Sequence, residues 1–248
     1  KHSISVNSAT SGLYAAIGAI GVGYGDEVIV SPYTMTACAM APLLFGAIPV
    51  FSDVEKETGC MDVKSIERAL SDRTKAILVV HQFGIPADME KIMELAKQHD
   101  LKVIEDCAQA HGAKFRNKFV GTFGAIGVFS LNVNKSIQTG EGGICITDDE
   151  ELAYRLALIR NHGEAVVGPA KYANVVNIFG FNFRLTELQA AIAREQLKKI
   201  NKLNDHRLDL VEAFSRGLDN HPFLHPLSGR PGCYSTYYVY PLRYEPGI

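Results

Sequence analysis

Leu101-Lys-Val-Ile-Glu-Asp-Cys-Ala-Gln-Ala-His-Gly112 runs as an apolar strand, Leu101 to Ile104, into Asp106, an acid three residues before Gln109. An acid delivered at the carboxyl end of a strand suits recognition of a ring bound over the edge of an α/β sheet. Taken alone, a strand-end aspartate is more often a turn former. Downstream, Ser130-Leu-Asn-Val-Asn-Lys-Ser-Ile-Gln-Thr-Gly-Glu-Gly-Gly143 sets Lys135 between a hydroxyl and a glycine cluster, with Glu141 as the one other charge in the run. An amine in that setting suits Schiff-base chemistry, although most lysines are solvated surface charges. Each piece has a bland reading, and their combination points to a covalent cofactor site.

Apolar strand-like runs alternate with amphipathic stretches on both sides of this pair, which predicts an α/β layer with a largely parallel sheet. Ile4 to Val6, Glu27 to Val30, Ile48 to Phe51 and Lys75 to Val80 read as strands. Helices are expected over Thr10 to Val22, with Leu13, Ala16, Ile17 and Ile20 at the helical period, and over Thr36 to Phe45. Two more are expected over Asp62 to Leu70, capped by Asp62, and over Asp88 to His99, with Met89, Ile92, Met93 and Ala96 on one face. Glycine spacing from Val120 to Ser130 predicts short strands without long helices between them, hence a mixed sheet. Gly143 to Thr147 reads as a strand and Glu150 to Arg160 as a helix. Leu185 to Leu218 reads as one continuous helix that leaves the sheet domain, and Tyr237 to Arg243 as the opening of a smaller domain's sheet. The expected division is a large domain over 1–217 and the start of a small one over 218–248. Lys1 is not a methionine and both ends run into strand-like segments, so the chain reads as an excerpt truncated at both ends.

With 248 residues and a net charge of -2, nothing favours a polyanion, and no nucleic-acid partner is expected. No apolar stretch approaches membrane-spanning length and no leader pattern opens the chain, which predicts a cytoplasmic protein without a membrane partner. The five cysteines are odd in number and scattered, without a Cys-x-x-Cys pair. Strand alternation places Cys107 opposite Asp106, as a packing residue. His81, His99, His111 and His162 show no ligand spacing, so no metal site is expected.

Asn7-Ser-Ala-Thr-Ser-Gly12 joins the first strand to the first helix, where unpaired backbone N–H groups point outward and suit a phosphate. The helix dipole adds only about 0.3 to 1 kcal/mol per charge. Direct bonds from Thr10 and Ser130 must then supply most of the grip. No Walker lysine motif and no Gly-x-Gly-x-x-Gly fingerprint follows. A phosphate cradle, an acid and a lone lysine are what pyridoxal phosphate requires: an anchor, a counter-ion for its ring nitrogen and an amine for its aldehyde.

At these residues the chain resembles the sugar-nucleotide aminotransferases of the DegT and StrS type. The resemblance implies fold type I of the pyridoxal-phosphate enzymes: a three-layer α/β/α domain with a mostly parallel mixed sheet, plus the start of a smaller α+β domain. Ser8-Ala9-Thr10 matches the family's Ser-Gly-Thr phosphate turn with alanine for glycine. Glu105 to Gly112 matches Glu-Asp-Ala-Ala-Gln-Ala-His-Gly, which implies Asp106 against the ring nitrogen and Gln109 near the phenolic oxygen. Ser130 to Lys135 and Gly140 to Gly143 match the lysine motif, implying Ser130 on the phosphate and Lys135 as the Schiff-base residue. Arg160 to Gly163 and Gly180 to Leu185 match two further motifs. The second implies that Asn182 reaches the phosphate in the neighbouring subunit of a homodimer. Met35 departs from the pattern, standing where the family usually stacks an aromatic on the ring; a thioether can contact a π face for about 0.3 to 1.5 kcal/mol. The implied reaction moves an amino group from glutamate or glutamine to a keto-sugar, nucleotide-linked, in polysaccharide, antibiotic or cell-envelope biosynthesis. The alternatives are a sugar dehydratase on the same scaffold, which typically replaces the lysine by histidine, a catalytically silent regulatory member, and another fold-type-I enzyme such as a decarboxylase or desulfurase.

Overall fold

The computed structural model of the protein describes residues 1–164 and 178–246. Strands β1 (His2–Val6), β2 (Glu27–Val30), β3 (Ile48–Phe51), β4 (Thr74–Val80) and β5 (Lys102–Asp106) come first along the chain. The short β6 (Lys114–Phe115) and β7 (Lys118–Phe119) follow, and then β8 (Ile126–Ser130) and β9 (Gly143–Thr147). Seven of these form one sheet in the order β1-β9-β8-β5-β4-β2-β3. From β3 through β8 the neighbours are parallel, whereas β9 runs antiparallel to both β8 and β1. The mixed sheet expected from the glycine spacing is present, because β8 and β9 are joined without a crossover helix.

All four residues of β2 are buried, and in β4 all except Lys75, as a sheet covered on both faces requires. Alternation sorts their side chains into two layers. Val28, Val30 and Leu78 pack with α1 (Ala9–Ala19), α2 (Ala37–Leu44) and α5 (Glu150–Arg160) through Leu13, Ile17, Ala41, Leu156 and Ile159. Ile29, Ile77 and Val79 face the other way, onto α3 (Val63–Ala69) and α4 (Met89–Gln98) through Ile66, Ile92 and Leu95. Helix starts are fixed locally. Asp62 accepts from Lys64 and Ser65 N–H, Asp88 from Lys91, and Asp149 from Glu151 and Leu152.

Two expectations are corrected. The stretch from Leu185 to Leu218 is not one helix: α6 (Glu187–Leu197) and α7 (Ile200–Gly217) are separated by a turn at Lys198 and Lys199. Both lysines keep near-helical dihedrals, with φ -61 and -97, so only the hydrogen-bond register breaks. A pattern of residue types does not register such a break. Nor is Tyr237 to Arg243 a strand throughout, since only Leu242 and Arg243 enter one: Tyr237 has φ +44, and backbone bonds from Thr236 to Gly84 and from Tyr238 to Phe83 bend the start of this segment onto the large layer. Strand pairing instead joins β10 (Leu224–Pro226) to β12 (Leu242–Tyr244), while β11 (Cys233–Tyr234) adds to β6. Of the segment expected over 218–248, residues 247–248 lie outside the described residues.

Candidate active site

Asp106 is the last residue of β5 and 6% exposed. One carboxylate oxygen accepts from Ala108 N–H at 2.9 Å and the other from the Cys38 thiol at 3.2 Å. Burial pushes its pKa above the ordinary carboxyl value, against the pull of those two donors and of the Lys135 charge. Such a carboxylate calls for a cationic partner on its open side.

Glu105, one residue earlier, faces the opposite layer and is fully buried. Its Oε1 accepts from Phe123 and Gly124 N–H, each at 2.7 Å. Oε2 accepts from Gly121 N–H at 2.7 Å and His81 Nε2 at 3.1 Å. Burial alone would raise this carboxyl, but the hydrogen bond from His81 and the backbone donors hold it below its ordinary value. His81, Glu105 and Cys107 bring ligand-type atoms within 4.8 Å of one another, a grouping the sequence spacing did not reveal. The carboxylate's four donors and Ala87 N–H on His81 Nδ1 already engage these groups, so the cluster reads as a structural lock on β5. Cys107 packs with Ala110, Ala113 and Val120.

Gln109 accepts from Phe83 N–H through Oε1 at 2.8 Å, which fixes its amide orientation and leaves Nε2 as the donor. Phe83 sits at φ +58 in a tight turn, a strained position for an aromatic residue. Gly84 beside it is at φ +85, and a Cβ there would stand 2.7 Å from Thr236 Oγ1 and 2.9 Å from Gln109 O. Only glycine lets these segments meet.

At the start of α1, Ser8 caps the helix by accepting from Ser11 N–H at 3.0 Å. The N–H groups of Ala9 and Thr10 have no partner among the described residues. Gly143 lets the lysine-bearing loop approach this helix start, since a Cβ would stand 2.7 Å from Ala9 N. Ser130 closes β8 and is 4% exposed. In the turn beyond it, Lys135 N–H donates to Asn132 O at 2.9 Å, and Lys135 Nζ stands 4.3 Å from the centre of the Tyr238 ring.

A cleft of about 450 Å³ brings Ala9, Thr10, Met35, Asp106, Gln109, Ser130 and Lys135 together. Met35 is on its rim, 70% exposed, whereas Tyr33 makes an edge contact with Phe83 and does not line it. Asn182 lies outside this cleft, bridged to Asn161, and so does Arg184, which donates to Asn161. Tyr238 and Cys38 were missed by sequence reasoning. Tyr238 lies far along the chain from Lys135 and carries no local signal, whereas Cys38 follows Met35 by three residues, a helical spacing that could have drawn attention to it.

A model of one aminotransferase family, DegT/DnrJ/EryC1/StrS, matches residues 1–247. The chain belongs to that family. It is 44% identical over 207 residues to the UDP-N-acetyl-3-dehydro-alpha-D-glucosamine 3-aminotransferase of Acidithiobacillus ferrooxidans, covering 83% of this chain and 54% of that protein. It is 38% identical over 251 residues to the L-glutamine:2-deoxy-scyllo-inosose aminotransferase of Micromonospora echinospora, covering 98% of this chain and 60% of that protein. Among solved structures, S. venezuelae DesV in complex with a ketimine intermediate matches with a TM-score of 0.91 at 36% identity, covering 99% of this chain and 65% of that one. The fold is therefore that of these aminotransferases, and the chain spans between about half and two thirds of each relative's length.

The family's cofactor fits the residues present. Free helix-start N–H groups, a buried carboxylate with an open side and a primary amine line one cleft, which matches the three polar ends of pyridoxal phosphate. His111, behind Ser130, donates from Nε2 to Ser130 O at 2.7 Å. Burial, helped by the Lys135 and Arg207 charges, pushes its pKa down to about 4 despite that bond. A depressed histidine favours the unfolded state as acid protonates it, so its contribution is full above about pH 6.5 and is lost as pH falls towards 4. The loss is about 3 kcal/mol. Urea midpoints of the cofactor-free protein should fall between pH 7 and 5, and this component of the fall should be missing in His111→Gln.

Proposed function

We propose that the intact protein is a pyridoxal-phosphate-dependent aminotransferase that moves an amino group from glutamate or glutamine to a keto-sugar, nucleotide-linked, in the cytoplasm. The observation that carries this reading is the meeting of Lys135 and Asp106 in one cleft at the start of α1. No helix among the described residues is long and apolar enough to cross a membrane. Both relatives named above act on sugar-like ketones according to their names, and one name specifies glutamine.

Pyridoxal phosphate supplies an aldehyde that captures amines and a ring that draws electrons from the α-carbon. Ala9 and Thr10 N–H with the Ser130 hydroxyl would hold its phosphate, and Asp106 would face the ring nitrogen and keep it protonated. Gln109 Nε2 donates one hydrogen to Gln82 Oε1 at 3.4 Å and would offer its second to the phenolic oxygen, and Met35 would contact the ring face from the rim. Lys135 Nζ would bind the aldehyde and, once displaced by the donor, carry a proton away from the donor's α-carbon as base and return it as acid. Asn182, away from its own cleft, would serve the site of a second copy, making the enzyme a homodimer with shared sites.

The intact protein should show an absorbance band with pyridoxal phosphate that borohydride fixes onto Lys135, and should aminate keto-sugar nucleotides with glutamate or glutamine. A protein that never takes up the cofactor, or that yields only dehydrated sugar, overturns the reading. Asp106→Ala should slow α-proton removal by about 10² to 10⁴, the range of a lost electrostatic or proton-transfer group, while cofactor affinity drops far less. Equal losses in both, read by isotope exchange and cofactor titration, would remove Asp106 from its role.

A further inference from the structure

Among the residues of α7, Asn204 is the one that is buried, at 2% exposure. An amide in the single buried place of an amphipathic helix is costly unless it is satisfied. Its Nδ2 donates to His111 O at 3.0 Å, and its Oδ1 accepts from Arg207 Nη1 at 3.3 Å. Gly112, at φ +82, permits the approach, since a Cβ there would stand 3.0 Å from Asn204 Nδ2. Arg207 Nη1 also donates to Ser136 Oγ at 3.0 Å, and Ser136 follows Lys135 directly and is 9% exposed.

One pair of helical side chains therefore ties two separate loops. His111 belongs to the loop that leaves Asp106, and Ser136 to the loop that carries Lys135. His111 closes the circuit by donating to the carbonyl of Ser130. Apolar residues would dock α7 at lower desolvation cost. Directional bonds add a fixed spacing between the loops, which a chemical site needs to within a fraction of an ångström.

We infer that Asn204 and Arg207 are positioning residues for Lys135, holding its loop at a set distance from the Asp106 loop. The inference rests on the covalent-cofactor reading above. Arg207→Met in the intact protein keeps the apolar stem and removes the donors, and Ser136→Ala removes only the acceptor. In both, the rate at which pyridoxal phosphate joins Lys135, read from its absorbance band and borohydride fixation, should fall about tenfold. Affinity for pyridoxamine phosphate, which lacks the aldehyde and cannot join the lysine, should change less than about twofold. Arg207→Lys, which keeps a donor for Ser136, should recover most of the attachment rate.

Unchanged attachment in both variants overturns the inference while leaving the function standing. Equal losses for both cofactor forms would show a general structural role and overturn it too. Absence of attachment in the unaltered protein would instead sink the function reading, and the positioning role with it.

Discussion

Lys135→Ala in the intact protein is expected to lower transamination at least about 10⁴-fold, the upper end of what a lost acid–base group alone costs, because covalent attachment is lost as well. Lys135 Nζ lies over the Tyr238 ring, at 4.3 Å from its centre, in the cleft that Asp106 also lines. No other lysine lines that cleft, so among the described residues no second primary amine could take over. The loss should fall on kcat more than on the KM of the amino donor. A small added amine should restore part of the rate by carrying the proton. Stability should change by about 1 kcal/mol, since the fold loses a partly exposed cation–π contact and the Lys135 charge that offsets the burial of Asp106. Activity within tenfold of the unaltered protein would take the chemistry away from Lys135.

Glu105→Gln is expected to cost about 2 to 6 kcal/mol of stability, because either amide orientation leaves two buried donors unsatisfied at about 1 to 3 kcal/mol each. The carboxylate takes four N–H donors, and an amide has one acceptor oxygen and one NH₂ group. If NH₂ replaces Oε1, it confronts the N–H groups of Phe123 and Gly124. If it replaces Oε2, it confronts Gly121 N–H and His81. The histidine cannot answer by moving its proton, because its Nδ1 already accepts from Ala87 N–H at 3.1 Å. Asp106 adjoins this lock, and its carbonyl accepts from His81 N–H, so cofactor uptake should suffer along with the urea midpoint. Glu105 has a lowered pKa, so its contribution is full above the ordinary glutamate value near 4.3 and is lost as pH falls through the folded value. Glu105→Gln should lack that acid-dependent component. A midpoint within about 1 kcal/mol of the unaltered protein would mean the four bonds contribute nothing net.

Much of the candidate site was legible because its chemistry sits on short contiguous loops at strand ends. Ser8 to Thr10, Asp106 to Gln109 and Ser130 to Lys135 each place their functional groups within a few residues, and the structure brings all three stretches to one cleft. Local caps were equally readable: Asp62 ends the approach to α3, as its side chain bonds to Lys64 and Ser65 N–H show. The partners that adjust these groups were not legible. Cys38 on Asp106, Phe83 on Gln109, Tyr238 over Lys135, and Arg207 on Ser136 all come from distant parts of the chain. Buried polar residues such as Glu105, His81 and Asn204 carry no local sign of burial, and only their hydrogen bonds explain why they are inside.

The sequence by itself determined the alternation of strand and helix and singled out a lysine, an acid and a candidate phosphate turn that line one cleft. Periodicity and short motifs encode these over a few neighbouring residues. The turn that separates α6 from α7, the bend at Tyr237 that brings Tyr238 to Lys135, and the bridge between the two loops were decided only in the tertiary structure. The bend and the bridge depend on bonds between segments far apart in sequence, which form only when the sheet has already set the distance between them; the turn is a local change of hydrogen-bond register that residue type does not encode.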